Sequence, residues 1–175
     1  EKEVRRNRVV TTFCLGTRRL YDWLEDNAVV EVLGVDFVND PRVIARMSRF
    51  NSVNATTEVD LMGQCASETI GGRYWSSSGG QADFARGAMY ADEGQAFIVT
   101  PSLTRDGRSR IVPSLASGSV VTTLKNTVDH VVTEHGVAEL RGKALSDRAR
   151  ALIAVADPSV RDNLTRDART LGLFL

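Results

Sequence analysis

The segment with the residue types best suited to chemistry reads Gly71-Gly72-Arg73-Tyr74-Trp75-Ser76-Ser77-Ser78-Gly79-Gly80-Gln81-Ala82-Asp83-Phe84. Paired glycines admit positive φ and let a ligand approach main-chain N–H groups closely. Residues from Gln81 to Met89 read as a helix opening directly after Gly80. The N–H groups at such a start converge on one spot, which favours a phosphate or a developing oxyanion. The spacing is neither GxGxxG nor a P-loop, because no Lys-Ser/Thr follows the glycines. Taken alone, a Ser/Gly run is more often a plain connection.

A second candidate is Thr100-Pro101-Ser102-Leu103-Thr104-Arg105-Asp106-Gly107-Arg108, which follows the apolar run Phe97-Ile98-Val99. The end of a strand is where open α/β sheets tend to bind ligands, so Arg105 is a candidate phosphate contact. The plainer reading is a solvated loop arginine. In the third, Glu134 and Glu139 flank His135, which invites a general-base or metal role. There is no HExxH, and the other histidine, His130, lies within a strand-like run, too few ligands for a metal that needs three or four. No metal site is expected. Glu58 and Asp60 alternate along a strand and so share a face, the arrangement of a carboxylate pair but also of an ordinary polar face. No GxSxG elbow supports a serine nucleophile.

These residues need a scaffold, and short β-branched runs alternating with helical segments predict one of α/β class. The run Arg8 to Phe13 reads as a strand, and Leu20, Trp23 and Leu24 give the next segment a helical stripe ending near Asn27. Val29 to Leu33 reads as a strand, and Asp40-Pro41 as the N-cap and first residue of a helix with Val43, Ile44 and Met47 inward. Thr57 to Leu61 is strand-like. Val120 to Thr123 and His130 to Thr133 are expected to pair as a hairpin around Asn126-Thr127. Leu145, Ala149, Leu152, Ile153 and Ala156 form one helical stripe, and Asp157-Pro158 restarts a further helix. No repeat or linker divides the chain, so one domain across residues 1–175 is expected.

With 42% hydrophobic residues the chain can bury a core. Its 22 basic and 22 acidic residues cancel, so no overall field draws it to nucleic acid or a membrane surface. Cys14 and Cys65 lie far apart without a CxxC partner, which suits a reducing cytoplasm better than a disulfide framework. No apolar run is long enough for a membrane span. The chain opens Glu1-Lys2-Glu3, without methionine, and soon enters a strand-like run, so it reads as a piece of something longer.

Several motifs then occur in one order. They are Phe37-Val38-Asn39-Asp40-Pro41, Asn54 with Glu58-Val59-Asp60, Gly63-Gln64, and Gly79-Gly80-Gln81-Ala82-Asp83-Phe84-Ala85-Arg86-Gly87-Ala88. Ser109-Arg110-Ile111-Val112-Pro113, Val131-Val132-Thr133-Glu134, Gly136-Val137-Ala138, Leu140-Arg141-Gly142-Lys143 and Arg148 to Ile153 complete the set. Together they resemble the acetyl-CoA hydrolase/transferase family, which includes 4-hydroxybutyrate, butyryl and acetate CoA-transferases. The resemblance covers most of the chain and identifies it as part of a carboxyl-terminal domain.

The resemblance implies an open three-layer α/β/α domain of the CoA-transferase type. It also implies CoA transfer between an acyl-CoA and a small carboxylic acid through a glutamyl-CoA intermediate. The family's catalytic glutamate lies upstream of these residues, so no catalytic residue is assigned in this chain. Gly79 and Gly80 match the loop whose N–H groups help form the oxyanion hole, Arg105 matches a usual lysine near the CoA phosphates, and Asn54 matches an asparagine close to the CoA site. The family loop usually reads Ser-Gly-x-Gly-Gly; Ser77 stands here in place of a glycine, which predicts a different bend or strain if that position needs positive φ. Implied partners are acyl-CoA, a small carboxylate, the amino-terminal half of the same protein and further copies in a homo-oligomer, with no nucleic acid, no membrane and no tightly bound cofactor. Acetyl-CoA hydrolysis and a non-catalytic acyl-CoA-binding module are the alternatives.

Overall fold

The computed structural model describes residues 2–174. Along the chain run β1 (Val9–Thr11), α1 (Arg18–Leu24), β2 (Val30–Val32), α2 (Val35–Val38), α3 (Pro41–Ile44), β3 (Asn51–Ala55), β4 (Glu58–Asp60), β5 (Cys65–Ala66), β6 (Thr69–Ile70) and β7 (Arg73–Tyr74). Then follow α4 (Gln81–Tyr90), β8 (Gln95–Val99), β9 (Ile111–Val112), β10 (His130–Thr133), β11 (Gly136–Glu139), α5 (Leu145–Val155), a 3-10 turn (Pro158–Val160) and α6 (Arg161–Thr170). The class is α/β, as the alternation predicted.

The main sheet has four strands in the order β11-β10-β8-β3. β3, β8 and β10 are parallel, and β11 turns back antiparallel on β10. Register decides which residues meet. Asn54, Ile98, Val131 and Ala138 lie in one row across the strands, with Ser52 and Ala96 on the same face. Ile98, Val131, Ala138, Ser52 and Ala96 are all buried there, because α4 packs over β3 and β8 and α5 over β10 and β11. The alternate rows face the other way and leave Val53, Val99 and Val137 at 67%, 39% and 55% exposure.

Small residues let α4 sit close. Ala85 and Ala88 pack on Ala96, and a Cβ on Gly87 would come within 2.5 Å of Ile44, so only glycine lets α3 touch α4 at that point. The larger core joins Ile98 and Val131 to Leu152 and Ala149 of α5, and to Val59, Leu61, Cys65 and Ile111 of a small sheet ordered β5-β4-β9. Burying a side chain such as Leu152 stabilises by about 1.5–3 kcal/mol. Arg148, only 7% exposed, sits on the inward stripe of α5 and spends its guanidinium on the backbone carbonyls of Met62, Leu140 and Lys125. Buried charge is tolerable there because it is hydrogen-bonded.

Several local expectations hold. Asp40 accepts a hydrogen bond from the Arg42 N–H as N-cap, with Pro41 in the first turn, and Asp157 does the same for Ser159. Others fail for identifiable reasons. Met47 lies past the end of α3, which is four residues long. Val120 to Thr123 forms no strand; only an isolated bridge joins Thr123 to Cys65, and the hairpin partner of β10 is β11. Leu124 to Thr127 does turn, with the Thr127 N–H donating to Leu124, but it leads from a loop. The sequence reading also passed over β3, whose Asn-Ser-Val-Asn-Ala carries too little hydrophobicity to signal a strand.

Candidate functional site

Because β3, β8 and β10 are parallel, Ala55, Val99 and Thr133 end on one edge of the sheet. A short connection, residues 91–94, joins α4 to β8, and α4 packs back on β8, so it runs antiparallel to that strand. Ten helical residues rise about 15 Å and five strand residues about 16 Å, so the first turn of α4 arrives at the carboxyl ends of the strands. Gln81 fixes it there: its buried side-chain amide donates to the Thr123 hydroxyl at 3.0 Å.

Gly80 is the N-cap of α4 and has no side chain to offer, so the N–H groups of the first turn are left for water or a ligand. A Cβ at Gly80 would fall 2.6 Å from the Asn39 side-chain nitrogen and 3.0 Å from the Phe84 ring. Glycine is therefore required by packing beneath the loop. Gly79 adopts φ +56°, a left-handed conformation that favours glycine, and nothing lies within 4 Å of where its Cβ would be. The loop surface over Gly79 is open. Ser77 is not among the residues with positive φ, so replacing the usual glycine introduces no strain at that position.

Asn54 lies on β3, one residue before its carboxyl end, on the face that α4 covers. It is half-buried, and its side-chain N–H donates to the Ser52 hydroxyl at 2.8 Å, which leaves its carbonyl oxygen free of that bond. Sheet topology thus brings Asn54 and Gly79–Gly80 to the same end and the same face. Arg105 sits at the same end but farther out, exposed in the loop that follows β8, and takes part in none of the hydrogen bonds or ion pairs among the described residues. The neighbouring Arg108 is neutralised by Asp106 at 2.8 Å.

That loop is held by a pair the sequence reading did not connect. Glu134, just past β10, accepts from the Ser102 hydroxyl at 2.6 Å and from the Ser102 N–H at 2.9 Å. The hydroxyl bond, aided by backbone donors, holds the Glu134 carboxyl below the ordinary glutamate range. Adjacent parallel strands ending in step would have signalled this contact, but only once β8 and β10 were known to be neighbours.

The remaining candidates are structural. Asp60 is buried and accepts from the N–H groups of Met62 and Gln64 and from the Gln64 amide. Glu58 accepts from the Ala116 N–H and the Ser119 hydroxyl, so the two carboxylates serve separate loops. His135 lies 3.7 Å from Glu134 and 3.6 Å from Asp157. No group of three or more His, Cys, Asp or Glu side chains placed to hold a metal is found among the described residues. Burial pushes the Cys65 thiol far above its ordinary range, which leaves it unreactive. At the opposite, amino end of the strands lies a cleft of about 760 Å³ lined by Arg49, Gln95, Asp129, His130, Glu139 and Arg141. None of Asn54, Gly79, Gly80 or Arg105 borders it.

What the carboxyl end offers chemically is a set of uncapped N–H donors, a nearby amide and an exposed positive charge, with no nucleophile among them. Comparison with known proteins bears on that gap. Residues 16–168 match the model of the acetyl-CoA hydrolase/transferase C-terminal domain. The chain is 48% identical over 172 residues to the succinyl-CoA:cyclohexane-1-carboxylate CoA transferase of Geobacter metallireducens, covering 98% of this chain and 39% of the relative. It is 47% identical over 168 residues to the 4-hydroxybutyrate coenzyme A transferase of Clostridium kluyveri, covering 95% and 39%. Among solved structures it is similar to RipA from Yersinia pestis, with a TM-score of 0.93 and 40% identity over 99% of this chain and 39% of that one. The chain thus spans about 39% of the length of the proteins it matches.

Proposed function

The chain belongs to the acetyl-CoA hydrolase/transferase family, and on that premise we propose that it is the carboxyl-terminal part of a CoA-transferase acting on an acyl-CoA and a small carboxylic acid. The observation that carries this reading is the glycine-capped start of α4, set at the carboxyl edge of the parallel sheet beside Asn54.

On this reading a glutamate carboxylate from the rest of the polypeptide attacks the thioester carbonyl carbon. The carbon–sulfur bond breaks and CoA leaves as thiolate, giving an acyl-glutamyl anhydride. The thiolate then attacks the glutamyl carbonyl and expels the first carboxylate, leaving a glutamyl-CoA thioester that the incoming acid reverses. Each attack places negative charge on a carbonyl oxygen, and N–H groups at Gly79, Gly80 and the first turn of α4 stabilise it. Arg105, unpaired among the described residues, meets a CoA phosphate, and the Ser102–Glu134 pair holds its loop in place. Asn54 orients the CoA chain near the thioester.

The reading treats residues 1–175 as one domain in the cytoplasm, needing no tightly bound cofactor, and assembled with its own amino-terminal half and further copies. No described helix is long and apolar enough to cross a membrane. The test is an assay of the full-length protein with acetyl-CoA and a series of small carboxylates, with mass spectrometry of the protein after acyl-CoA alone. Transfer together with a glutamyl-CoA adduct supports the reading. CoA release without an acceptor makes the protein a hydrolase, and CoA binding without turnover makes it a binding module.

A further inference from the structure

Three arginines are drawn below the exposed surface, Arg110, Arg148 and Arg161. The chain itself satisfies Arg148, whose three guanidinium nitrogens each donate to a backbone carbonyl. Arg161 gives its Nε to the Ala156 carbonyl at 2.9 Å. Arg110 differs. Its Nη1 donates to the Thr57 carbonyl at 3.0 Å, its Nε is buried with no partner, and its Nη2 makes no hydrogen bond among the described residues. Nε and Nη2 share one edge of the planar guanidinium, the edge that takes a carboxylate or phosphate through two parallel bonds. A partly buried cation with that edge unmet is costly to keep unless an anion comes to it.

Backbone contacts hold this side chain at the carboxyl end of the main sheet. The Arg110 N–H donates to the Ser102 carbonyl at 2.9 Å, on the loop that Glu134 grips. Thr57, which receives Nη1, follows the last residue of β3 by two positions and Asn54 by three. The Thr100 hydroxyl donates to the Thr56 carbonyl at 3.2 Å and ties the exits of β8 and β3 together. Arg110 therefore spans the two exits. No ion pair among the described residues includes it. Glu58 stands one step before the Val59–Ile111 pair, as Arg110 does, yet its carboxylate turns to the Ala116 N–H at 3.3 Å and the Ser119 hydroxyl at 3.5 Å.

We propose that Arg110 is the residue that receives the carboxylate of the small acid. The identity of that anion rests on the CoA-transferase reading; the unmet guanidinium edge does not. Two kinds of anion enter such a site, the CoA phosphates and the acid. Arg105 stands out on the exposed loop, where a long ligand trailing into solvent is met. Arg110 lies inward of it, clasped between Ser102 and Thr57. At that depth the reacting group of the acyl-CoA is an uncharged thioester, and the acid's carboxylate is the small planar anion that fits the guanidinium edge. Partial withdrawal from water strengthens the pairing relative to an exposed arginine. Arg110 binds and orients the acid, so its loss is read in the KM for the acid and not in the affinity for CoA.

The experiment compares the full-length protein with Arg110→Gln, which keeps a donor for the Thr57 carbonyl and removes the charge. The KM for the best acceptor among the small acids is measured at saturating acyl-CoA, and CoA affinity by titration calorimetry. The expected result is a KM for the acid about 10- to 100-fold higher, the loss of one charge-assisted hydrogen bond, with CoA affinity changed less than about twofold. An unchanged KM overturns the proposal. So does a comparable fall in CoA affinity, which assigns Arg110 to a CoA phosphate. If Arg110→Gln fails to fold, Arg110→Lys is judged by the same two readings. If the unsubstituted protein transfers CoA to no acid, the transferase reading falls by itself, and the line width of 13C-labelled acetate decides the inference. Broadening by the unsubstituted protein that the variant lacks upholds it; equal broadening, or none, overturns it.

Discussion

The two ends of the main sheet invite opposite mistakes. At the amino end the strands open into a cleft of about 760 Å³ crowded with charge, yet its buried carboxylate and the arginine beside it already satisfy each other. Asp129, 3% exposed, takes the Arg141 guanidinium at 2.5 Å and the Ala96 N–H at 2.8 Å. At the carboxyl end the candidate site borders no such cleft, but the first turn of α4 is uncapped and Arg105 is unpaired among the described residues. Groups that have found partners hold a fold together, whereas groups that still lack them are what a ligand can use. The size of a hollow does not distinguish the two.

That contrast can be broken by substitution at either end. The largest effect is expected from Gly80→Val in the full-length protein, with kcat lower by about 100- to 1000-fold, the usual loss when oxyanion donors are displaced. Because the new side chain also crowds Asn39 and Phe84, the melting temperature is measured with the rate; near-normal turnover removes the oxyanion role. Asp129→Ala at the amino end leaves the buried Ala96 N–H without its acceptor and should destabilise by about 1–3 kcal/mol in denaturant titration. Arg141 is half exposed and adds little to that figure. Activity lost without stability lost would make the cleft a second site and collapse the comparison.

Smaller effects sharpen it. Arg105→Ala should weaken CoA binding about 3- to 10-fold at low salt, with the gap closing as salt rises, because an exposed charge is readily screened. Titration calorimetry at two ionic strengths checks this, and equal affinities at low salt dismiss the contact. Glu134 gives the mildest test. Its carboxyl is held below the unfolded value of about 4.3, so its grip on Ser102 is complete above that pH and fades as pH falls through the lower folded value. Amide protection in residues 100–108, corrected for the intrinsic exchange rate at each pH, should therefore fall on acidification of the native protein, and Glu134→Gln should lose that pH dependence.

Much of this was legible before any coordinates. Asp40-Pro41 and Asp157-Pro158 announce their turns through side-chain capping, a signal complete within three residues. The glycine entry to α4 is equally local. What was hidden depends on partners far apart in sequence. β3 is polar by composition and becomes a strand because β8 lies beside it. The Ser102–Glu134 pair spans 32 residues and exists because β8 and β10 end in step. Val120 to Thr123 looked like a strand by composition but lies against Cys65 at a single bridge. Asn54 came from family resemblance, Arg105 from its place after a strand-like run as well as from resemblance, and the sheet explains their shared end; neither spacing nor periodicity could have joined them.

Arg148 has a bearing on how the molecule comes into being. Its guanidinium reaches carbonyls 86, 23 and 8 residues earlier in the chain, so three separate loops acquire their anchor only when α5 docks. On a ribosome those three carbonyls must wait for this partner until that one arginine has left the exit tunnel. Docking of α5 is therefore the step at which these three contacts first form. A chain interrupted before residue 148 would expose the same carbonyls and the apolar faces behind them to the cell's proteases and chaperones.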